Sequence, residues 1–159
     1  MQAVPDIVSP QTRSRMMRSI RGRNTKPELL VRRALHRLGF RFRLNVRTLP
    51  GTPDIVLPRF RAAVFVHGCF WHRHPGCRLA ATPQTRPDFW QEKFAGTLAR
   101  DNAAREALLD NGWRVAVIWE CQTRSSLEAA IAQLAAWLQS TETTFNSGPA
   151  EDDDGYHKL

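Results

Sequence analysis

The densest set of reactive side chains lies in residues 62–77, AAVFVHGCFWHRHPGC. Between His67 and Cys77, eleven residues carry two cysteines, three histidines and the adjacent pair Phe70-Trp71. Thiolates and imidazoles at short spacing are metal ligands, imidazole also moves protons near neutral pH, and paired rings offer stacking surface. The run enters on Val and Phe and breaks at Gly68, so a strand delivers the loop.

Cys69, His74 and Cys77 are spaced C-x4-H-x2-C, and Cys121 follows the apolar run WRVAVIW at 113–119. If the strands ending near Val66 and Trp119 lie side by side and parallel, the residues after them leave the sheet at one edge and Cys69 meets Cys121. Cys3His is a closed tetrahedral set of the kind that holds structural zinc. The competing account makes Cys121 an inert thiol at a strand end and the histidines surface residues.

That assignment leaves His67 and His72, which either transfer protons and contact phosphate or simply cover the metal knob. Asp54 opens a short strand after Pro53 and is a carboxylate able to hold a hard cation such as Mg²⁺ against a phosphate. Pro53-Asp54 equally reads as turn chemistry. Phe70-Trp71 falls outside any periodic element, so at least one ring is expected to be exposed, placed to wedge between base steps. The alternative is a ring that roofs the core beside the metal.

The elements around this loop follow in order. Ser9-Pro10 marks the cap and first turn of a helix at about 10–20, with Arg13, Arg15 and Arg18 around Met16 and Met17. It is either a solvated basic helix or an arm that embraces DNA. Thr25 to Glu28 forms an S/T-x-x-E capping box ahead of Leu29, Leu30, Ala34, Leu35 and Leu38, with Gly39 as the stop, so Glu28 already has a structural task. FRFRLNV alternates as a half-exposed strand, and short strands follow at Asp54 and at 62–66. A helix at about 88–111 carries Phe89, Trp90, Phe94 and Leu98 on one side. The strand at 113–119 is apolar enough to be buried on both faces. Ser125 and Glu128 make a second capping box before the stripe Leu127, Ile131, Leu134 and Leu138. The order is helix, helix, three strands, helix, strand, helix, which is an α/β class with a central sheet.

Composition narrows the partner. The chain has 23 Lys+Arg against 15 Asp+Glu, and 22 bases against 10 acids fall within residues 1–140, a net +12 there. Most of the bases are Arg, whose planar fork suits phosphate and guanine edges, so nucleic acid is the expected partner. No apolar run is long enough to span a bilayer and no secretory signal is visible, which gives an expectation of a cytoplasmic, nucleoid-associated protein. Three cysteines argue against a closed disulfide framework. Residues 1–140 read as one domain, and 141–159 as an acidic disordered tail.

Pro53-Asp54, then FVHGCFWHRHPGC, FWQEK and GWRVAVIWEC, resemble the very-short-patch-repair (Vsr) mismatch endonucleases over about residues 9–138. HGCFWH together with the GWRV-to-WEC segment is highly specific. The resemblance implies a restriction-endonuclease-like core with a central mixed β-sheet flanked by helices, a structural zinc, and Mg²⁺-dependent nicking beside the thymine of a T:G mismatch left by deaminated 5-methylcytosine. It also implies roles. Asp54 becomes the Mg²⁺ ligand with the Val66 backbone carbonyl, His72 the general acid/base, and His67 and Glu28 supporting residues. Cys69, His74, Cys77 and Cys121 match the zinc ligands. Phe70 and Trp71 match an intercalating wedge, with Met17 entering from the first helix and Trp90 stacking nearby.

The chain departs from the family pattern in having Val66 where Thr precedes HGCFWH, and one more residue between His74 and Cys77. A backbone carbonyl is supplied by any residue, and Pro75-Gly76 can absorb the insertion in a turn. The run after Asp54 is Phe65-Val66-His67 rather than E-x-K, so a histidine-assisted mechanism is implied. Double-stranded DNA with a T:G mismatch is the implied partner of a monomeric enzyme, with mismatch-repair accessory proteins as further candidates. The rival accounts are a zinc-stabilised, non-catalytic module that recognises distorted duplex, and a broader structure-specific nuclease.

Overall fold

The computed structural model describes residues 9, 11–12 and 23–148. Most of the first expected helix, Met17 included, lies outside them, but its cap is visible: Ser9 Oγ accepts the Thr12 N–H at 3.1 Å.

Helix α1, Lys26–Arg37, starts at the expected capping box. Thr25 Oγ1 accepts the Glu28 N–H at 3.4 Å, and Glu28 Oε2 accepts the Asn24 N–H at 2.9 Å. Strands β1 (Arg43–Leu44), β2 (Ile55–Leu57) and β3 (Ala62–His67) follow. Helix α2, Pro87–Asp110, leads to β4, Arg114–Trp119. Two helices then follow, α3 (Glu120–Ser125) and α4 (Leu127–Leu138), and strand β5 (Thr144–Asn146) comes last. The sheet order is β1-β2-β3-β4-β5. Strands β1, β2 and β3 pair antiparallel, while β3-β4 and β4-β5 are parallel, so the sheet is mixed and the fold α/β.

Period-two alternation divides the sheet between two helical layers. Ile55, Leu57, Val64, Val66, Ala116 and Ile118 face α1 and α4, where they pack with Val31, Leu35, Ile131, Leu134 and Trp137. Ala63 and Val115, on the opposite face, pack with Leu108 of α2. Asp54, His67 and Trp119 belong by alternation to this second face. Helix α2 buries Trp90 and Phe94 near its start and Ala104 and Leu108 near its end, so it is anchored at two ends and spans open space between them. Gly51, at φ +74°, admits the 49–52 turn under this helix, because a Cβ there would lie 2.6 Å from the Ala104 Cβ.

Three local expectations differ from the structure. Of FRFRLNV, Arg43 and Leu44 alone are strand, because the stretch lies at the sheet edge against a β2 of three residues. The capping box at Ser125 does not form. Helix α3 occupies that place and α4 is entered from Ser126 without a side-chain cap bond. Within the stretch read as a disordered tail, Thr144–Asn146 form β5. Acidic composition hid a short β-prone run whose Phe145 ring lies 5.9 Å from Trp137, over the edge of β4. Among the described residues, no helix is long and apolar enough to cross a membrane.

Arg114 fastens this last strand. Its guanidinium donates to the carbonyls of Trp137 (2.6 Å), Leu138 (3.1 Å), Ser140 (3.1 Å) and Glu142 (2.9 Å), and lies 4.3 Å from the Trp137 ring centroid. It therefore caps the α4 C-terminus and holds the turn into β5. Arg114→Met keeps the stem and removes the donors. Unfolding should show a loss of roughly 2–3 kcal/mol, and amide exchange at Thr144–Asn146 should accelerate; a melting curve unchanged from the parent would remove Arg114 as the latch.

Candidate active site and metal cluster

The β3-β4 register pairs His67 with Trp119, the last residue of each strand. Beyond them Cys69 and Cys121 meet as expected, with the Cys121 N–H donating to Cys69 Sγ at 3.4 Å. His74 is brought back by the bond from its N–H to the Cys69 carbonyl, 3.0 Å, and its ring stacks on Trp119 at 4.2 Å and 10°. Its Nδ1 lies 3.6 Å from Cys69 Sγ and 3.4 Å from Cys121 Sγ. With Cys77, the four ligand atoms all fall within 4.8 Å of one another. A tetrahedral ion with bonds of 2.3 Å to sulfur and about 2.0 Å to nitrogen sets an S···N edge of about 3.5 Å. The donor set therefore fits a metal ion. Burial pushes the Cys69 thiol up to about 12 and raises Cys121 as well, so both hold their protons until a cation stabilises the thiolates.

On the other side of Trp119 lies a cleft of about 1280 Å³, bounded by the 45–54 loop, the strand ends and the unanchored middle of α2. Glu28, Asp54, Val66, His67, Trp71, His72 and Asp101 line it, together with Arg23, Arg47, Arg73, Arg100 and Arg105. Asp54 Oδ2 accepts the Val66 N–H at 2.7 Å. Burial nevertheless raises the Asp54 carboxyl to about 7, and the nearby Glu28 adds to the rise. Glu28 itself is 2 % exposed and sits 3.1 Å from Arg32.

His67 and His72 stack face to face, 3.8 Å apart and 5° from parallel. Burial, then the neighbouring His72, lowers His67 to about 3, so it is a neutral ring. His72 Nδ1 lies 2.6 Å from Asp101 Oδ2. With the carboxylate accepting a hydrogen bond from Nδ1–H, the ring is held in the tautomer whose Nε2 carries the free lone pair. His67, His72 and Asp101 also lie close enough to share an ion. Parallel stacking places the two in-plane lone pairs side by side rather than converging, so the arrangement suits proton transfer instead.

Asp101 was not anticipated, although a signal exists. Trp90, Phe94, Leu98 and Asp101 share one face of α2, and an acid stands where the period calls for an apolar residue. Glu120 was also missed; its Oε2 accepts the Cys69 N–H at 3.3 Å. The expected exposure of Phe70 or Trp71 is not met. Both are half-buried against each other (5.0 Å) and against Trp90, at 5.5 and 5.9 Å. Phe70 also packs on Phe94 at 5.3 Å, since rings facing α2 lose less by covering one another than by standing in water.

A family model described as DNA mismatch endonuclease Vsr matches residues 5–78. The type II nicking enzyme V.XorIIP of Xanthomonas oryzae pv. oryzae is 50% identical over 129 residues, 81% of this chain and 93% of that protein. The DNA mismatch endonuclease Vsr of Escherichia coli is 39% identical over 137 residues, 84% of this chain and 87% of its own. The type II nicking enzyme V.NmeAIP of Neisseria meningitidis is 41% identical over 120 residues, covering 76% and 85%. Relatives at 39% and 50% identity over most of the chain are named as a mismatch endonuclease and a nicking enzyme, which sets aside a purely non-catalytic module: the chain belongs to the Vsr family of DNA endonucleases, hydrolases that act on DNA.

Proposed function

We propose that the enzyme nicks one strand of a duplex beside the thymine of a T:G mismatch, by Mg²⁺-dependent hydrolysis. The observation that carries this reading is the placement of the Asp54 carboxyl and the His72–Asp101 pair in one arginine-lined cleft, next to a loop bearing Phe70 and Trp71. Asp54 is the carboxylate suited to a hard cation. In an extended strand a residue's N–H and carbonyl point to the same edge, so the Val66 carbonyl faces the side from which its N–H meets Asp54. Magnesium bound there would supply the positive charge that polarises the scissile phosphate and steadies the leaving oxygen.

The chain's own groups complete the step. His72 Nε2 takes the proton of the attacking water, Asp101 holds the ring's tautomer, and neutral His67 fixes its plane. In-line displacement leaves 5′-phosphate and 3′-hydroxyl ends. Glu28 orders the α1 cap at the cleft rim. Phe70 and Trp71 enter the duplex at the wobble pair, which unstacks at lower cost than a matched one, while Trp90 is the platform behind them and Met17 is a further DNA contact. Zinc is the ion assigned to Cys69, His74, Cys77 and Cys121. The enzyme acts as a monomer on nucleoid DNA in the cytoplasm, with accessory repair proteins as candidate partners.

End-labelled duplexes carrying T:G or a matched pair, in several methylation contexts with Mg²⁺ or EDTA, test the reading. Nicking of the mismatched strand with Mg²⁺ alone is expected; equal cutting of matched or otherwise distorted duplex would favour a broader structure-specific nuclease. Asp54→Asn should reduce nicking by about 10³-fold or more. It should also raise the melting temperature at pH 8, because a carboxyl raised to about 7 when folded costs stability as pH climbs through that value. A less stable variant at pH 8 would contradict the burial argument.

The same raised carboxyl couples Mg²⁺ to a proton. The half-saturating Mg²⁺ concentration should be about tenfold higher at pH 6 than at pH 8; a pH-independent value would take Asp54 out of the ion's shell. Cys121→Ser should lose the bound zinc and more than about 4 kcal/mol of stability, the range typical of a lost metal site. Full zinc content in that variant would refute the ligand set.

A further inference from the structure

Arg73 stands between the proposed general base His72 and the metal-cluster ligand His74, and nothing above uses it. Its backbone is left-handed, φ +53°, which turns its side chain back along its own loop. The guanidinium donates to the Phe70 carbonyl at 3.2 Å and to Thr82 Oγ1 at 2.7 Å. Its Cζ lies over two rings, 4.0 Å from the Phe94 centroid and 5.8 Å from that of Phe70. One side chain thus ties together the aromatic loop, helix α2 and the 78–86 connection.

Two of its five N–H groups are spent in these bonds among the described residues, which leaves three. The residue also lines the cleft. A guanidinium already oriented by ring faces and two acceptors loses little further freedom when an anion arrives, and its fork suits a phosphate.

We propose that Arg73 is a DNA-phosphate clamp that positions the aromatic loop: its remaining donors take a backbone phosphate while the bond to the Phe70 carbonyl keeps that loop in register with it and the bond to Thr82 anchors the guanidinium. The contact links strand engagement to wedge placement, one residue from His72. It rests on the reading that Phe70 and Trp71 enter the duplex, and it adds the group that couples their position to the backbone.

The test compares the parent, Arg73→Met and Arg73→Lys on T:G and matched duplexes across a salt series, with metal content and melting temperature recorded. Arg73→Met retains a stem over Phe94 but no donors. Its KM for the T:G duplex should rise about tenfold with kcat changed less than threefold, and the slope of log KM against log salt should flatten by about 0.9, one phosphate's share. Unchanged KM and slope, or a loss confined to kcat, would overturn the clamp. If Arg73→Met loses metal or melts early, Arg73→Lys decides: a raised KM with the parental slope supports the clamp, and parental values of both overturn it. Failure of the mismatch reading shows separately, as a parent enzyme indifferent to T:G, and the salt slope on whichever duplex it cuts still judges Arg73.

Discussion

The parallel pairing of β3 with β4 is the constraint from which both sites descend. Six consecutive residue pairs hold the two strands in register, from Ala62 with Arg114 to His67 with Trp119. That offset of 52 residues is also the separation of Cys69 from Cys121, so the two cysteines are register partners just past the ladder's end. A parallel pair needs a long crossover, and here the crossover contains the reactive loop and all of α2. The segment that must be long for topological reasons is the one that carries Phe70, His72, Asp101 and three of the four residues of the Cys/His cluster.

Burial acts on the two sites in one direction, toward neutrality. It raises Asp54 and the Cys69 thiol and lowers His67, each toward its uncharged form. Arginines line the cleft, yet the carboxyl of Asp54 stays high, because Arg32 offsets only a minor part of the desolvation and Glu28 works against it. The protein thus presents oxygen and sulfur donors that keep a proton until a multivalent cation displaces it. His67 fits the same logic. A ring that stays uncharged can stack 3.8 Å from His72 without repelling the proton that the proposed reaction brings to His72.

Much of this was legible in the chain. The Thr25 capping box, the strand that feeds the histidine loop and the parallel meeting of Cys69 with Cys121 all follow from local pattern plus one topological assumption. Three features were hidden for identifiable reasons. Asp101 lies on a helix whose charges surround it, and only its place on the Trp90-Phe94-Leu98 face distinguishes it. Strand β5 is three residues in an acidic context, and it is held by Arg114, which is remote in sequence, and by Trp137 at the end of the preceding helix. The docked state of Phe70 and Trp71 depends on α2 lying across the loop, which no periodicity in the loop itself could announce.

That docked state bears on selectivity in the proposed reaction. To enter a duplex, Phe70 and Trp71 must leave ring contacts with each other, Trp90 and Phe94, and such pairs contribute about 0.5–1.5 kcal/mol apiece beyond burial. Opening a base step costs a few kcal/mol more. Both costs precede any contact with the distorted strand, so a matched duplex must overcome their full sum. A wobble pair lowers the second term and leaves the first intact. Packing the wedge against α2 therefore raises the threshold for every duplex by the same amount, and the ease with which a T:G step deforms decides which duplexes cross it.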